Sequence, residues 1–531
     1  MMAIGFFVTA IQTPTLTTMR QLIISLALAI CLFAEDAPDA PKSVDKKDDK
    51  KEEKKDDKKA DEKPKESKGS VTIGGKAIGY AVKTGTMPIL KEDGSPRANV
   101  FYVYYAATGE NGKPLASVAA TTRPIVYCFN GGPGSAAVWL HFGGLGPRKI
   151  SLPPDGKVPT PIGTIAENPN SILDVADLVF IDPVGTGISR AAKGEKAEQF
   201  FGPDEDVESV GEFIRLFTTR EQRWMSPKFL CGESYGGIRG SGLADYLQER
   251  HGMMLSGFIC VSGVINFQTL SSAIGNDLPF LSFLPSFTST AHYHGKLPAD
   301  LQALTVEQAE AAAREFTHGA YPLALLRGRT LPAPERRSIA EKLARLTGLT
   351  PEQCDEQDLR ISPSYFREML LRKEGKIIGR FDARVTAEDG DRSEQSPEFD
   401  PSFTGVIGPF NAMANAYLRG DLGYETDEPY RVLAPLPWSF AKFGGRYVGM
   451  ENHLADAMKT NPQFRLLICA GRRDLAVPAD ATRYSLDHLP IPESLRKNIR
   501  METFESGHMM YFLDTDAAKL RANITSFISG K

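Results

Sequence analysis

The pentapeptide at residues 232–236, Gly-Glu-Ser-Tyr-Gly, has the form of a nucleophile elbow, which is a sharp turn between a strand and a helix. Apolar residues precede it, and a helix-compatible run from 237 to 250 follows. Such a turn exposes the hydroxyl of its central residue, Ser234, and its two glycines are expected to avoid side-chain clashes in a strained backbone. A serine held in this way can attack a carbonyl carbon once a histidine takes its proton. The pattern predicts serine-dependent hydrolysis or acyl transfer.

Two later residues are predicted to be the base and its orienting acid, because in this type of hydrolase they follow the serine in the order Asp, His. Asp474 follows the last long apolar run, and His508 lies in a short glycine-containing loop after the next strand-like segment. Of the eight histidines, His508 is the one that follows both Ser234 and Asp474 at a strand-to-loop junction, whereas His488 lies in a segment typical of a surface. Asp480 remains an alternative for the acid.

Backbone N–H donors are needed to stabilise the negative oxygen that forms when a serine attacks a carbonyl group. The residue after the nucleophile normally supplies one donor, and here that residue is Tyr235. A second donor is expected from the Asn-Gly-Gly-Pro-Gly loop at 130–134, which follows an apolar run. Its glycines allow the backbone to approach a substrate without interference from side chains.

The elements that must position these residues are short apolar runs, separated mostly by stretches able to form helices. The runs lie at 125–129, 178–181, 228–231, 257–261 and 465–469. Continuous apolar strands that alternate with helices, such as one over 206–219, predict a parallel sheet covered on both faces. Residues 71–105 alternate around glycine-rich turns and predict antiparallel strands. The expected fold class is therefore α/β, with a mostly parallel central sheet.

The alternation of strands and helices breaks between residues 271 and 444, where an aromatic-rich stretch (278–293) and a helical segment (306–316) occur among polar loops. We interpret this segment as a cap inserted over the carboxyl edge of the sheet, where open α/β sheets bind ligands. The folded part is thus predicted to be a core of residues 70–270 and 445–531, interrupted by a cap at 271–444.

Residues 1–34 are predicted to be a signal peptide, because Arg20 precedes a short apolar stretch and Ala34 ends a segment suited to cleavage. Met19 is an alternative start, and an uncleaved anchor is the alternative to export, although the stretch is short for a bilayer span. Residues 35–69 consist almost only of charged residues, Ala, Pro and Ser, which predicts a disordered linker. The mature protein is expected in the periplasm or outside the cell, with envelope association left open.

Composition narrows the possible partners of the 531-residue chain. The net charge is −4, and the folded part carries no stripe of basic residues that could bind a phosphate backbone. Nucleic acid is therefore not an expected partner. Four of the six cysteines lie in apolar runs, which predicts buried thiols. The odd number of cysteines in the mature chain, without paired spacing, argues against a disulfide framework. None has the spacing of a zinc site, and no metal or other cofactor is expected. Cys31 is either removed with the signal peptide or lipidated. Oligomeric state has no signal in the sequence.

Four motifs, taken together, resemble the serine carboxypeptidase family. In chain order they are Asn-Gly-Gly-Pro-Gly from 130, Asp-Pro-Val-Gly-Thr-Gly-Ile-Ser from 182, Gly-Glu-Ser-Tyr-Gly from 232 and Gly-His-Met from 507. The resemblance extends from about residue 100 to 270 and from about 460 to 510. It implies an α/β-hydrolase fold with an inserted cap, in agreement with the pattern of strands and helices.

The resemblance also implies a role for individual residues. Ser234, Asp474 and His508 would form the catalytic triad. Gly132 and Tyr235 would form the oxyanion hole with their backbone N–H groups.

In the family, the glutamate beside the nucleophile and the asparagine of the glycine-rich loop hold the C-terminal carboxylate of the substrate. These positions correspond to Glu233 and Asn130, with Gly131 in the same subsite. Two carboxyl groups within hydrogen-bonding reach share a proton, so Glu233 would be protonated in the complex while Asn130 donates its amide N–H. Peptide hydrolysis is therefore expected to be favoured at acidic pH.

Some residues depart from the family pattern. Cys128 stands two residues before Asn130, where the family commonly has tryptophan, and this departure bears on carboxylate affinity more than on chemistry. The loop at 475–478 reads Leu-Ala-Val-Pro in place of the usual Cys-Asn ending. These differences point to a divergent, bacterial branch that lacks the disulfides of secreted eukaryotic members.

The expected function is an exported serine carboxypeptidase that removes the last residue from peptide or protein C-termini through an acyl-enzyme. A serine-dependent esterase or acyltransferase on the same scaffold is the alternative. A non-enzymatic envelope-binding protein is the third hypothesis, and it is disfavoured because all three triad positions are filled.

Overall fold

A ten-stranded mixed sheet forms the centre of the computed structural model, which describes residues 63–109, 121–151 and 163–530. The strands are, in chain order, β1 (Lys65–Ile73), β2 (Lys76–Leu90), β3 (Pro96–Ala107), β4 (Ile125–Phe129), β5 (Arg148–Ser151), β6 (Thr164–Glu167), β7 (Asp177–Ile181), β8 (Arg190–Ala191), β9 (Lys228–Glu233), β10 (Gly257–Val261), β11 (Lys376–Ile378), β12 (Thr386–Glu388), β13 (Arg465–Gly471) and β14 (Ile499–Phe504).

The order of strands in the central sheet is β1-β2-β3-β7-β4-β9-β10-β13-β14, with β8 paired to β3. All pairings from β7 to β14 are parallel, and those among β1, β2, β3, β7 and β8 are antiparallel. The five apolar runs of the sequence are therefore adjacent parallel strands, and the antiparallel start is also confirmed. Two further strand pairs, β5–β6 and β11–β12, lie outside this sheet.

Helices cover both faces of the sheet. They are α1 (Pro203–Arg220), α2 (Gly236–His251), α3 (Leu278–Tyr293), α4 (Ala299–Gln302), α5 (Val306–His318), α6 (Ala320–Arg327), α7 (Ala333–Thr347), α8 (Pro351–Glu356), α9 (Pro363–Met369), α10 (Pro401–Ala416), α11 (Glu451–Thr460), α12 (Ala479–Asp487), α13 (Glu493–Arg496) and α14 (Asp514–Ser529). Successive strand residues face opposite clusters: Val126 and Phe229 pack on the α14 side, and Ile125 and Leu230 pack on the α1 and α2 side. The α/β-hydrolase fold class follows from this arrangement.

The segment interpreted as a cap packs in two parts. Residues of α3 and of α5 to α9 form a hydrophobic cluster of their own, which Leu475 of the core joins. Helix α10 instead packs through Phe410 and Met413 into the cluster on the α14 side of the sheet. The predicted cap boundaries at 271 and 444 do not separate these two parts, because composition alone carries no signal of which hydrophobic cluster a helix joins.

The first strand corrects one predicted boundary. The linker was expected to reach residue 69, whereas β1 begins at Lys65 and pairs in register with β2 from that residue onward. The first residues of β1 are polar and mostly exposed, so their composition resembles that of the linker. Their backbone pairing with β2 cannot be recognised from composition. The predicted signal peptide at 1–34 and the rest of the linker lie outside the described residues.

None of the helices in the described ranges has the length and apolar character needed to span a membrane. The five cysteines within those ranges are buried and free, and the four expected in strands occupy β4, β9, β10 and β13.

Candidate active site

Ser234 lies at the sharp turn between β9 and α2, as expected for a nucleophile elbow. Its φ angle of 62° is in the left-handed region, where residues other than glycine are uncommon. The backbone is held in place by three hydrogen bonds: its N–H donates to the Val261 carbonyl (3.1 Å), and its carbonyl accepts from Gly237 (2.8 Å) and Val264 (3.1 Å). The serine is partly exposed although both of its neighbours in the chain are buried.

The two glycines of the elbow are not equivalent. A Cβ atom on Gly232 would lie 2.4 Å from the Gly236 carbonyl oxygen, which real structures do not tolerate. A Cβ atom on Gly236 would meet its nearest neighbour, the Phe129 carbonyl oxygen, at 3.3 Å. The expectation that both glycines prevent a clash therefore holds strictly for Gly232, and Gly236 needs only a small shift of its surroundings.

Asp474 and His508 form a buried pair. The His508 Nδ1 atom lies 2.6 Å from Asp474 Oδ2, and Asp474 Oδ1 accepts the N–H groups of Ala476 (2.7 Å) and Val477 (2.9 Å). The carboxylate has no solvent exposure. Because Nδ1 faces the carboxylate, Nε2 is the ring nitrogen that remains for proton exchange with a nucleophile.

The residues that competed with this pair in the sequence lie elsewhere. Asp480, the alternative acid, pairs with Arg314 at 2.7 Å. His488 is exposed, and its Nδ1 atom contacts the Tyr484 carbonyl in the last turn of α12. The structure thus brings Asp474, and not Asp480, to His508.

The protonation of His508 is set by opposing effects. Burial alone would lower the pKa of the imidazole, but the charge of Asp474 and the hydrogen bond to it act in the opposite direction. The pKa of His508 is raised above its ordinary value as a result.

The topology of the sheet explains how three distant parts of the chain meet. Ser234 follows β9, Asp474 follows β13 and His508 follows β14, so all three lie at the carboxyl edge of neighbouring parallel strands. Ser262, in the loop after β10, is hydrogen-bonded to two of these segments: its hydroxyl donates to the His508 carbonyl (2.7 Å), and its N–H donates to the Cys469 carbonyl in β13 (2.7 Å). Ser262 was not singled out in the sequence, because a lone serine after a strand is a common feature.

The glycine-rich loop after β4 lies directly against the elbow. A Cβ atom on Gly131 would come within 2.3 Å of the Tyr235 nitrogen and 2.7 Å of the Glu233 carbonyl oxygen, so only glycine fits there. Gly132 has a φ of 101°. Among the described residues, no acceptor takes the backbone N–H of Gly132 or of Tyr235, the two groups expected to form an oxyanion hole.

Glu233 is a buried acid next to the nucleophile, with 3% of its surface exposed. The Tyr511 hydroxyl donates to its Oε2 atom (2.9 Å), and the Asn130 side chain forms a second hydrogen bond with it. Burial raises the pKa of Glu233 to about 7, against the opposing influence of the His508 charge and of these hydrogen bonds. Glu233 can therefore be neutral near physiological pH.

Asn130 is oriented by contacts on two sides. Its Oδ1 atom accepts the Leu140 N–H (3.1 Å), which directs its amide N–H group towards Glu233. Behind it, the Arg239 guanidinium donates to the Asn130 carbonyl and pairs with Asp206 at 2.8 Å. These contacts fix both the backbone and the side chain of Asn130.

Arg239 has only 1% of its side chain exposed and lies over two aromatic rings, 5.4 Å from the Phe129 centroid and 5.3 Å from the Tyr235 centroid. It thus contacts the end of β4, the glycine-rich loop and the residue after the nucleophile. Neither Arg239 nor Tyr511 was found by sequence reasoning, although both stand within a few residues of a recognised motif.

Two residues noted in the sequence contribute to the core. Cys128, where the family commonly has tryptophan, is fully buried in β4 beside Cys231 of β9, and the two thiols are in contact. Asp182, which opens the second motif, accepts the N–H of Ala137 (2.8 Å), three residues after the glycine-rich loop. Across the described ranges, no cluster of three His, Cys, Asp or Glu residues could hold a metal ion.

Comparison with known proteins gives consistent results. A family model described as serine carboxypeptidase matches residues 84–301. Serine carboxypeptidase-like 36 of Arabidopsis thaliana is 28% identical over 162 residues, which are 30% of this chain and 30% of that protein. Serine carboxypeptidase ctsa-3.1 of Caenorhabditis elegans is 27% identical over 206 residues, 37% of this chain and 33% of that protein. The chain thus matches about a third of the length of these curated relatives.

A solved structure of the prohormone-processing carboxypeptidase Kex1 from Saccharomyces cerevisiae superposes with a TM-score of 0.51 at 15% identity. The superposition covers 85% of this chain and 91% of that one, which supports the shared fold.

We predict that Arg239→Met slows modification of Ser234 by a fluorophosphonate about tenfold or more, because the loop and the aromatic ring that the guanidinium holds are released. The variant also leaves Asp206 buried without its partner, which costs about 3–5 kcal/mol of stability. Labelling rate and thermal unfolding are measured together.

Arg223→Met is the matched control, since Arg223 forms a comparably buried pair with Asp177 (2.6 Å) at the opposite edge of the sheet. The control should lose stability but keep the parent labelling rate. Equal labelling rates in both folded variants would contradict a positioning role for Arg239.

Proposed function

The chain belongs to the serine carboxypeptidase family, and we propose that it hydrolyses the last peptide bond of peptides or proteins. The observation that carries this proposal is the buried Glu233 carboxyl, with a pKa of about 7, held beside the nucleophile by Tyr511 and Asn130. A neutral carboxyl and an amide N–H can both donate hydrogen bonds to a carboxylate. A peptide is thereby held by its C-terminus, with its last amide bond at Ser234.

In the proposed mechanism, the Ser234 Oγ atom attacks the carbonyl carbon while His508 Nε2 takes its proton. Asp474 stabilises the imidazolium through Nδ1, and the N–H groups of Gly132 and Tyr235 donate to the oxyanion. His508 then returns the proton to the leaving amine as the C–N bond breaks, which leaves an acyl-enzyme. Water, deprotonated by the same imidazole, cleaves the ester and releases the shortened peptide.

The C-terminal carboxylate of the substrate is proposed to share a proton with Glu233. The Tyr511 hydroxyl donates to Oε2, so the proton of neutral Glu233 is best placed on Oε1, facing the substrate. Asn130 donates its amide N–H to the same carboxylate. Ionised Glu233 would instead repel the substrate, because two adjacent carboxylates in a buried site cannot both stay charged at low cost.

Two groups limit the pH range of the proposed activity. Glu233 must be protonated, so peptide hydrolysis falls as the pH rises through about 7. His508 must be neutral to accept the proton of Ser234, so activity falls as the pH drops through its raised pKa. Peptide hydrolysis is thus proposed to be favoured on the acidic side relative to hydrolysis of esters without a free carboxylate, which need only His508.

Export belongs to the same proposal. It is supported by the sequence of residues 1–34, with a charged start, a short apolar stretch and a segment suited to cleavage. A periplasmic or extracellular location would give the enzyme access to peptides outside the cytoplasm.

Incubation of the purified protein with a peptide mixture should give stepwise loss of C-terminal residues, which mass spectrometry detects as a ladder. Ser234→Ala should give no ladder, because no other group in the proposed mechanism attacks the carbonyl. Peptides amidated at the C-terminus should be shortened far more slowly. Ester cleavage without any ladder at every pH from about 5 to about 8, roughly the span over which Glu233 and His508 titrate, would contradict the peptidase and favour the esterase or acyltransferase.

Glu233→Gln should abolish the alkaline rise of the peptide KM. In the parent, the KM should rise about tenfold per pH unit above pH 7, because the fraction of protonated Glu233 falls by that factor. The glutamine amide donates a hydrogen bond at every pH, so the KM of the variant should stay level. The measurement is steady-state kinetics with one peptide, with a blocked ester of the same acyl group as control. A KM that climbs equally steeply in the variant would refute the shared proton.

A further inference from the structure

A loop from the predicted cap crosses directly over the catalytic pair. The Phe381 carbonyl accepts the His508 N–H (2.6 Å), and the Arg380 carbonyl accepts the Leu475 N–H (2.9 Å) in the loop that follows Asp474. The backbone of Arg380 and Phe381 is therefore fixed against both members of the pair.

The side chains of this loop extend the site on the His508 side. The ring of Phe381 packs on the imidazole of His508 with 5.0 Å between centroids, and the Arg380 guanidinium lies 5.3 Å from the Phe381 centroid. The guanidinium is therefore within about 10 Å of the imidazole, close to the screening length of physiological salt. Its positive charge is one of the influences that lower the pKa of His508.

Arg380 is exposed, and no carboxylate among the described residues pairs with its side chain. Two acids beside Arg380, Asp382 in the same loop and Asp400, have other partners. Asp382 forms a two-point ion pair with Arg384 (2.6 and 3.0 Å), and Asp400 accepts the Ser402 hydroxyl and the backbone N–H of Arg380. Among the described residues, the positive charge of Arg380 therefore has no ion-pair partner, and it lies beside Phe381 on the His508 side of the site.

We propose that Arg380 binds a carboxylate side chain on the residue that is released, so that substrates ending in Asp or Glu are preferred. This inference rests on the proposed function, in which Asn130 and Glu233 hold the C-terminal carboxylate. The leaving amine takes its proton from His508, so the released residue lies on the side where Phe381 and Arg380 stand. The side-chain carboxylate of a released Asp or Glu would then lie within reach of the Arg380 guanidinium. The Phe381 ring could pack on the methylene groups of that side chain.

The test uses three peptides that differ only in the last residue, Glu, Gln or Lys, at low and high salt. For the parent we expect kcat/KM to be about two- to fivefold higher for Glu than for Gln, as for an exposed charge pair, with the preference weakened by salt. Arg380→Gln should remove the difference between Glu and Gln, and Arg380→Glu should make Lys the preferred last residue. Arg329→Gln, at a cap arginine with a 92% exposed side chain, is the control and should keep the parent order.

Each other outcome overturns a distinct statement. Equal rates for the three peptides in the parent would overturn this inference and leave the proposed function intact. A uniform loss for all three peptides in Arg380→Gln would overturn it in favour of an effect on His508 or on the C-terminal carboxylate. Failure to cleave any of the peptides would overturn the proposed function, and the inference with it.

Discussion

The buried carboxyl of Glu233 is the constraint on which the rest of the site depends. An acid in that position, with its hydrogen bonds to Tyr511 and Asn130, is neutral below a pKa of about 7 and charged above it. In the proposed function, the neutral form makes the space beside Ser234 a site for an anion, whereas the ionised form repels one. We therefore propose that Glu233 sets the preference for a peptide C-terminus and that Ser234, Asp474 and His508 supply the chemistry.

The groups that act on Glu233 come from separate parts of the chain. Asn130 follows β4, Glu233 ends β9, and His508 and Tyr511 follow β14, so the parallel sheet brings them to one edge. Arg239 keeps Asn130 in place, because its guanidinium donates a hydrogen bond to the Asn130 carbonyl. Arg239 is itself buried and pairs with Asp206, as expected for a group that organises a site before the substrate arrives.

Sequence reasoning predicted the parts of the site that carry a local signal. The elbow around Ser234 has a fixed spacing of glycines, and chain order after a recognisable strand led to Asp474 and His508. Tyr511, Arg239 and Ser262 carry no such signal, because their roles come from contacts between side chains and loops that are far apart in sequence. The same reason limits what the sequence predicts about the fold. Apolar runs predicted the strands of the parallel sheet. The pairing of the polar strand β1 and the packing of the cap in two parts depend on residues that are distant in sequence.

The most direct test of the shared proton is calorimetry of peptide binding to the inactive Ser234→Ala variant at pH 8, in buffers with different heats of ionisation. At that pH Glu233 is mostly ionised, so binding of a peptide with a free C-terminus should take up about one proton. The same peptide with an amidated C-terminus should take up none. Tight binding of the free peptide without proton uptake would contradict the account.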